Sequence, residues 1–496
     1  MEKPYKINDR RGTNPGKPFD GNRLYQAAQW QQYNDRRRIT NLENDTPRNI
    51  NAYGRRMLSS IGRWLYANSP IVTGAVDEIA RYAAQNYTAQ FYGQDRAWGQ
   101  AAESWLYEND RYVDIRGWPY TFQTYAENLV RGAILDGDTF TLLTQDDADN
   151  GKIQSFISGR IGSREMQTTI KGGPYDGYLI RDGVVLDEFA TAVAYQILGD
   201  VPEQDRIVSS NSLFPSFLPK FPDQERGISV LGATLFDFQD ASESRRFELL
   251  AQKLAASYGM VIENEDGEAD PGKNLLVGSS GTLDSSGNAA TAWNEKVDGV
   301  GIHYFKAGTN SKISSVTADR PSGNQQAFED RIIRAALAGM GWSFDFALDP
   351  TKAGGAQMRI VIAKINRTLK HYRSMLLEPA CRRVTGYRIA KAINNGQLPA
   401  NPEWFKWSFV GAADLTADEK YSSDVSVQEL RAGLTDEQTE IGKRGEWWQD
   451  VIERKIEVEK YLQERCKAEG VDANRIVLLT PNGNPPQPPA ETKETP

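Results

Sequence analysis

The strongest constraint on the fold is a pair of helical stretches that enclose a polar insertion. From Arg226, "RGISVLGATLFDFQDASESRRFELLAQKLAASYGMVIE" sets Ile228, Leu231, Leu235 and Phe238 at helical spacing, and Leu250, Leu254 and Tyr258 continue the apolar side. Unbroken to Ile262, this helix would be about 55 Å long. Residues 264–308 are polar and rich in Gly and Ser, with strand-like pieces at "NLLVG" and "GIHYFKAG". A second helix starts near "SGNQQAFEDRIIRAALAGMG", with Ser322 as candidate N-cap and Phe328, Ile332 and Leu337 on one face. Two helices therefore flank a small exposed β-containing module.

The stretch before Arg226 has a different rhythm. Helical patterns cover Ala27–Arg38 and residues 51–67, the second with Tyr53, Met57, Ile61 and Leu65 at i, i+4 steps. Ser69 is a candidate N-cap with Pro70 at the first helical position, and Val72, Val76 and Ile79 share a face. A helix over residues 121–135 runs into the Asp136-Gly137 turn and an apolar strand over residues 139–144. Further strand-like segments around residues 177–180, 183–186 and 192–198 predict an α/β unit with a largely antiparallel sheet.

At 496 residues the chain is long enough for two or three domains. Its net charge of -8 is not the signature of a protein that grips nucleic acid tightly over its whole surface. Cys381 and Cys466 are the only cysteines and have no metal-ligand spacing, which points to a reducing compartment, the cytoplasm. No apolar run is long enough to span a membrane, and the N-terminus lacks a secretory pattern. Residues 1–24 and the Pro-rich 480–496 read as disordered arms.

The second helix ends in "AGMGWSFDFALDPTKAGGAQ", where Gly339 and Gly341 stop one pattern, Trp342, Phe344 and Phe346 follow, and Asp349-Pro350 breaks the chain before Lys352, Gly354 and Gly355. A basic helical run then extends to Ala392, with interruptions expected at Pro379 and Gly386. It holds ten cations, Lys352, Arg359, Lys364, Arg367, Lys370, Arg373, Arg382, Arg383, Arg388 and Lys391, against Glu378 alone. Such a run serves either as a solvated face paired with acidic groups of a neighbour or as a local contact to phosphates. A strand "EWFKWSFVG" and short helices punctuated by Gly433 and Gly445 complete the chain.

Catalytic signals are poor. "GTNPGKPF" lacks the spacing of a phosphate-binding loop, and Pro18 stands where a magnesium-holding hydroxyl would be. The only histidines, His303 and His371, sit in no ligand or triad spacing. Asp136 and Asp138 could hold Mg²⁺ in a metal-dependent nuclease, although Asp-Gly-Asp before a strand is ordinarily a plain turn. No metal, cofactor or catalytic residue is expected.

The ordered series "ANSPIVTGAVDEIARY", "AILDGDTFTLL", "IRDGVVLDEFATAVAYQI", "RGISVLGATLFDF", the polar insertion, "FEDRIIRAALAGMGWSFDFALDP", the basic helix and "ELRAGLTDEQTEIGKRGEWWQDVIER" resembles portal proteins of tailed double-stranded DNA bacteriophages, in particular the lambda-like portal family. The resemblance runs from about Arg36 to Val471. It implies an α+β portal fold assembled as a dodecameric ring at one capsid vertex, a channel for DNA packaging and ejection in the virion, assembled in the host cytoplasm.

On this sequence the resemblance implies a wing over 25–225 and 356–410, a first stem helix over 226–262, a clip over 263–321, a second stem helix over 322–341, a tunnel loop over 342–355 and a crown over 411–479. Trp342, Asp349, Lys352, Gly354 and Gly355 would then belong to the DNA channel, with Arg359, Lys364, Arg367 and Lys370 as contacts to DNA or to a neighbouring subunit. The implied partners are the terminase large subunit, the major capsid protein, scaffold and a head-completion or adaptor protein, with no membrane. A capsid-associated interaction protein that encloses no channel is the other non-enzymatic reading.

Overall fold

The computed structural model describes residues 50–469, apart from 145–150, 166, 266–292, 298–299, 306–307, 315–322, 349–354 and 417–418. Both arms, the helix expected over Ala27–Arg38, "NLLVG" and Ser322 lie outside the described residues.

Asn51 opens helix α1 (Ala52–Asn68), its side chain accepting from the Gly54 amide at 2.9 Å. The buried line of α1 is Arg55, Leu58, Gly62 and Leu65, and Tyr53 is exposed, which corrects the stripe expected from Tyr53, Met57 and Ile61. Arg55 must face inward to reach its carboxylate partner, and it rotates the helix with it. Helix α2 (Pro70–Ala84) starts after Ser69 as expected and buries Val72, Val76 and Ile79. Strand β1 (Thr88–Phe91) and α3 (Arg96–Glu108) lead to α4 (Phe122–Leu135), which is capped by Thr121 and buries one whole side on α2.

Two antiparallel sheets follow. In the first, β2 (Asp138–Leu143) lies between β3 (Ile153–Ile157) and β9 (Leu213–Phe217). The second is a meander of β4 (Gln167–Thr169), β5 (Leu179–Arg181), β6 (Val184–Leu186), β7 (Ala192–Ile197) and β8 (Arg206–Ser209) in sequence order. Phe140, Ile161, Val184, Tyr195 and Leu213 form the core between them.

The single long helix expected from Arg226 to Ile262 is not formed. Arg226 and Gly227 are held in the wall of the first unit, a 3-10 turn covers Val230–Ala233, and α5 runs over Leu235–Ser257, about 35 Å for 23 residues. Beyond it, Gly259 and the β-branched Val261 and Ile262 enter strand β10 (Tyr258–Glu265). This strand pairs in parallel with β12 (Val300–Phe305) and antiparallel with β13 (Gly308–Ser314), and β11 (Trp293–Val297) completes a sheet ordered β11-β12-β10-β13.

Helix α6 (Gly323–Gly339) returns beside α5, where Arg245 pairs with Glu329 and Gln325 donates to the Ser244 hydroxyl at 2.8 Å. Its buried line is Ile333, Ala336 and Leu337, and Phe328 faces outward at 58% exposure, so the face expected from Phe328 and Ile332 is rotated. Helix α7 (Phe344–Ala347) precedes α8 (Gly355–Tyr372), a π-helical turn over Arg373–Leu377, and α9 (Glu378–Asn394). Pro379 has no amide to donate, and the widened π turn just before it keeps the rod continuous instead of broken. Gly386 does not interrupt α9.

Strand β14 (Trp407–Val410) pairs antiparallel with β1, tying the late chain to the early one. Helices α10 (Glu419–Arg431), α11 (Glu437–Lys443) and α12 (Trp448–Glu469) follow, with Gly433 and Gly445 at positive φ as the punctuation expected. The largest core joins α1, α2, α4, the start of α5, the end of α6 and the rod of α8 and α9.

Candidate functional site

The base of the α5/α6 hairpin is built around Trp342. Gly341, at φ +77°, makes the left-handed turn that ends α6, and the Thr368 hydroxyl of α8 donates to its carbonyl at 3.0 Å. Trp342 is thereby driven into the core at 1% exposure. Its Nε1 donates to Glu78 Oε2 of α2 at 3.1 Å, and its ring stacks on Tyr82 and meets Phe346 edge-on at 5.5 Å. Burial pushes the Glu78 carboxyl above its usual range, against the hydrogen bond from Trp342 and the nearby Arg81. Arg334 of α6 reaches both oxygens of Asp345 at 2.9 and 2.8 Å and lies over Phe344 at 4.6 Å, folding α7 back on its own hairpin.

The structure therefore puts Trp342 inside the core, where no DNA can reach it, as the anchor of the loop. Gly339, read from the sequence as a hinge with Gly341, is instead a close-packing position, since a Cβ there would come within 2.5 Å of Thr234. Gly355 opens α8 in free space. Asp349, Lys352 and Gly354 lie outside the described residues.

The basic run divides into two kinds of cation. Arg359, Lys364, Arg367 and Lys370 of α8 all have exposed side chains, Lys370 pairing with Asp414 at 2.7 Å. The later cations are committed to backbone carbonyls. Arg373 donates to Ala83, Ala412 and Tyr82 at 2.9, 3.0 and 2.8 Å, capping the C-terminus of α2. Arg383 donates to Ser210 and Asn211 and lies over Phe214, and buried Arg388 donates to Asn109 over the Trp105 ring. Desolvation lowers Arg388 to about 10.

Asp136 and Asp138 are occupied by guanidinium groups. Arg63 pairs with Asp136, which also accepts from the Ser59 hydroxyl. Asp138 accepts from Arg226 at 2.7 and 3.1 Å and from the Gly227 amide at 2.8 Å, with Arg55 Nη1 at 4.0 Å. Burial alone would raise the Asp138 carboxyl, but Arg226 and Arg55 outweigh it and hold it below its usual value. Arg55 forks onto Asp182 at 2.8 and 2.9 Å, and the remaining Arg226 hydrogens go to the carbonyls of Ile161, Asp182 and Ser158. Sequence reading took the Asp-Gly-Asp stretch for a turn and missed the buried ion network behind it; the arginine just before the stem-like helix was its only local signal.

With both carboxylates neutralised in this way there is no open ligand position for a catalytic ion, and among the described residues no group of three His, Cys, Asp or Glu could hold a metal. Among the described residues no helix is long and apolar enough to cross a membrane. A rigid α+β body with a projecting helical hairpin, a small sheet at its far end and an anchored loop at its base defines a structural protein.

Residues 34–368 match the family described as phage portal protein, lambda family, and the chain belongs to that family. It is accordingly a non-enzymatic structural component of a phage-type particle. Among solved structures the chain is similar to one in the neck of an empty GTA particle computed with C6 symmetry, with TM-score 0.46 and 13% identity over 77% of this chain and 91% of that one. It is also similar to a chain in the virion of a native gene transfer agent (GTA) particle, with TM-score 0.40 and 14% identity over 75% and 88% of the two chains. No curated protein matches the chain.

Proposed function

We propose that copies of this chain close into a dodecameric ring at a capsid vertex, through which double-stranded DNA is packaged and ejected. The family match over residues 34–368 carries this reading. The outer faces of the hairpin support it: Phe247, Leu250 and Phe328 are each more than half exposed, a composition suited to helices meeting helices of adjacent copies. In this assignment α5 and α6 are the stem, the β10–β13 sheet is the clip that docks terminase and later a head-completion or adaptor protein, and the 25–225 and 356–410 body is the wing facing capsid protein and scaffold. Residues 411–479 form the crown.

The loop at 342–355 then projects into the channel from its Trp342 anchor, with Lys352 meeting DNA. Arg359, Lys364, Arg367 and Lys370 lie on the helix that leaves it and serve DNA or the adjacent copy. A subunit with net charge -8 and few exposed cations suits a conduit that must not hold its polyanion, because phosphate contacts multiply around a ring.

Electron microscopy of the purified full chain tests the assembly directly: rings with a central hole are expected, and solid particles or monomers under assembling conditions would refute it. For the loop, Lys352→Ala and Lys352→Glu should leave rings intact and alter DNA packaging or retention; wild-type packaging in both removes Lys352 from the channel.

A further inference from the structure

Helix α12 lies beyond residue 368, where the family match ends. Its first turn is tied to α3 by Trp448 Nε1 donating to Glu103 at 3.3 Å, by Ser104 and Gln449, and by Trp447 stacked on Tyr107 at 5.5 Å. Val451, Leu462 and Cys466 form one line that the chain itself covers in part or in full. The remainder of the helix stands free, every residue from Glu453 to Tyr461 being exposed.

At about 100° per residue, Val458 and Tyr461 fall on one side of the covered line and Ile456 on the other, about half a turn apart. Their exposures are 57%, 62% and 46%. Two open apolar flanks on opposite sides of one helix are not satisfied by a two-fold pair, which covers one flank of each member and leaves the other wet. A row covers both.

The charges indicate what kind of neighbour fits. From Asp450 to Glu469 the acids Asp450, Glu453, Glu457, Glu459, Glu464 and Glu469 nearly balance Arg454, Lys455, Lys460, Arg465 and Lys467. A surface of mixed sign and near-zero net charge suits another copy of itself better than a polyanion. The existing pairs of Arg454 with Glu446 and Arg465 with Glu469 are exposed and weakly held, free to exchange for contacts to a neighbour.

We propose that α12 packs side by side with the same helix of two adjacent copies, Val458 and Tyr461 of one against Ile456 of the next, in a continuous parallel row. This rests on the self-assembly proposed above and names the surface by which its late chain closes.

The test uses the full chain with Ile456→Cys and Val458→Cys together and separately, oxidised after assembly; both native cysteines are buried. The two introduced thiols lie on opposite sides of one helix and cannot join within a chain. The double variant should give a ladder extending past the dimer on a denaturing gel, at least tenfold above either single variant. Dimers formed as readily by one single variant would indicate a two-fold pair and overturn the row. Rings seen by microscopy without a ladder would overturn it while leaving the assembly standing, whereas loss of both would sink the two readings together. Protection of position 458 from alkylation in dilute monomer, abolished by removing residues 470–496, would assign the flank to the chain's own C-terminal segment and also overturn the row.

Discussion

Arg226 grips Asp138 through two parallel hydrogen bonds, Nε to Oδ2 at 2.7 Å and Nη2 to Oδ1 at 3.1 Å, with both side chains shut away from solvent. The pair joins the first residue of β2 to the segment that leads into α5, so the projecting hairpin is locked to the sheet at its root. Breaking one partner leaves a buried charge, and Arg226→Met is expected to cost about 3–5 kcal/mol in urea unfolding. Arg226→Met with Asp138→Leu should recover a large part of that loss, since the uncompensated carboxylate is then gone.

The same pair sets an acid limit. The Asp138 carboxyl is held below its ordinary value in the fold, so its contribution is present above the unfolded value near 4 and is lost as pH falls through the lower folded value. Melting of the wild type followed from about pH 5 to pH 2 should show this loss, and with Arg226→Met the loss should begin at higher pH.

Glu78 has the opposite sign. Burial raises its carboxyl, so it stabilises the fold below the unfolded value and this contribution is lost as pH rises through the folded one. Glu78→Gln keeps an acceptor for Trp342 Nε1 without the charge. It should therefore melt higher than wild type at pH 8 and no higher at pH 4; equal melting at both would mean that the charge is not penalised in its site.

Gly227 and Gly137 cross with no room between them: a Cβ on Gly227 would lie 2.1 Å from the Gly137 carbonyl oxygen. Gly137 is also at φ +97°. Gly227→Ala should destabilise by about 1–3 kcal/mol through overpacking. Gly74, inside α2 with nothing within 4 Å of its Cβ position, is the control, and Gly74→Ala should stabilise by about 0.5–1 kcal/mol.

What the sequence made legible follows local physics. Ser69-Pro70, the Asp136-Gly137 turn, and Gly433 and Gly445 each act through their own backbone, and each stands where it was read. Helix rotation was less legible, because Arg55 and Ile333 are oriented by partners distant in the chain. The stem-like helix was read too long at both ends for the same reason: Gly227 is claimed by Asp138, and Val261 and Ile262 by β12. At the candidate site the loop's place was visible, but Trp342 as its buried anchor depends on Glu78, 264 residues away, which no spacing reveals.

The basic run gives the sharpest division between fold and function. Arg373 satisfies three carbonyls that would otherwise be left without a donor, and its geometry suits a planar fork, so Arg373→Lys should cost about 1–3 kcal/mol despite keeping the charge. Lys364 and Arg367 are exposed on α8, and Lys364→Ala and Arg367→Ala should change stability by no more than about 0.5 kcal/mol. If these two meet phosphates, their removal should weaken DNA retention by assembled rings and flatten its dependence on salt, whereas Arg373→Lys should leave that dependence unchanged. Filter retention across a salt series, read beside urea unfolding of the same variants, separates the two groups. Identical salt slopes for wild type and Lys364→Ala/Arg367→Ala would place these cations at the boundary between copies instead of on the DNA path.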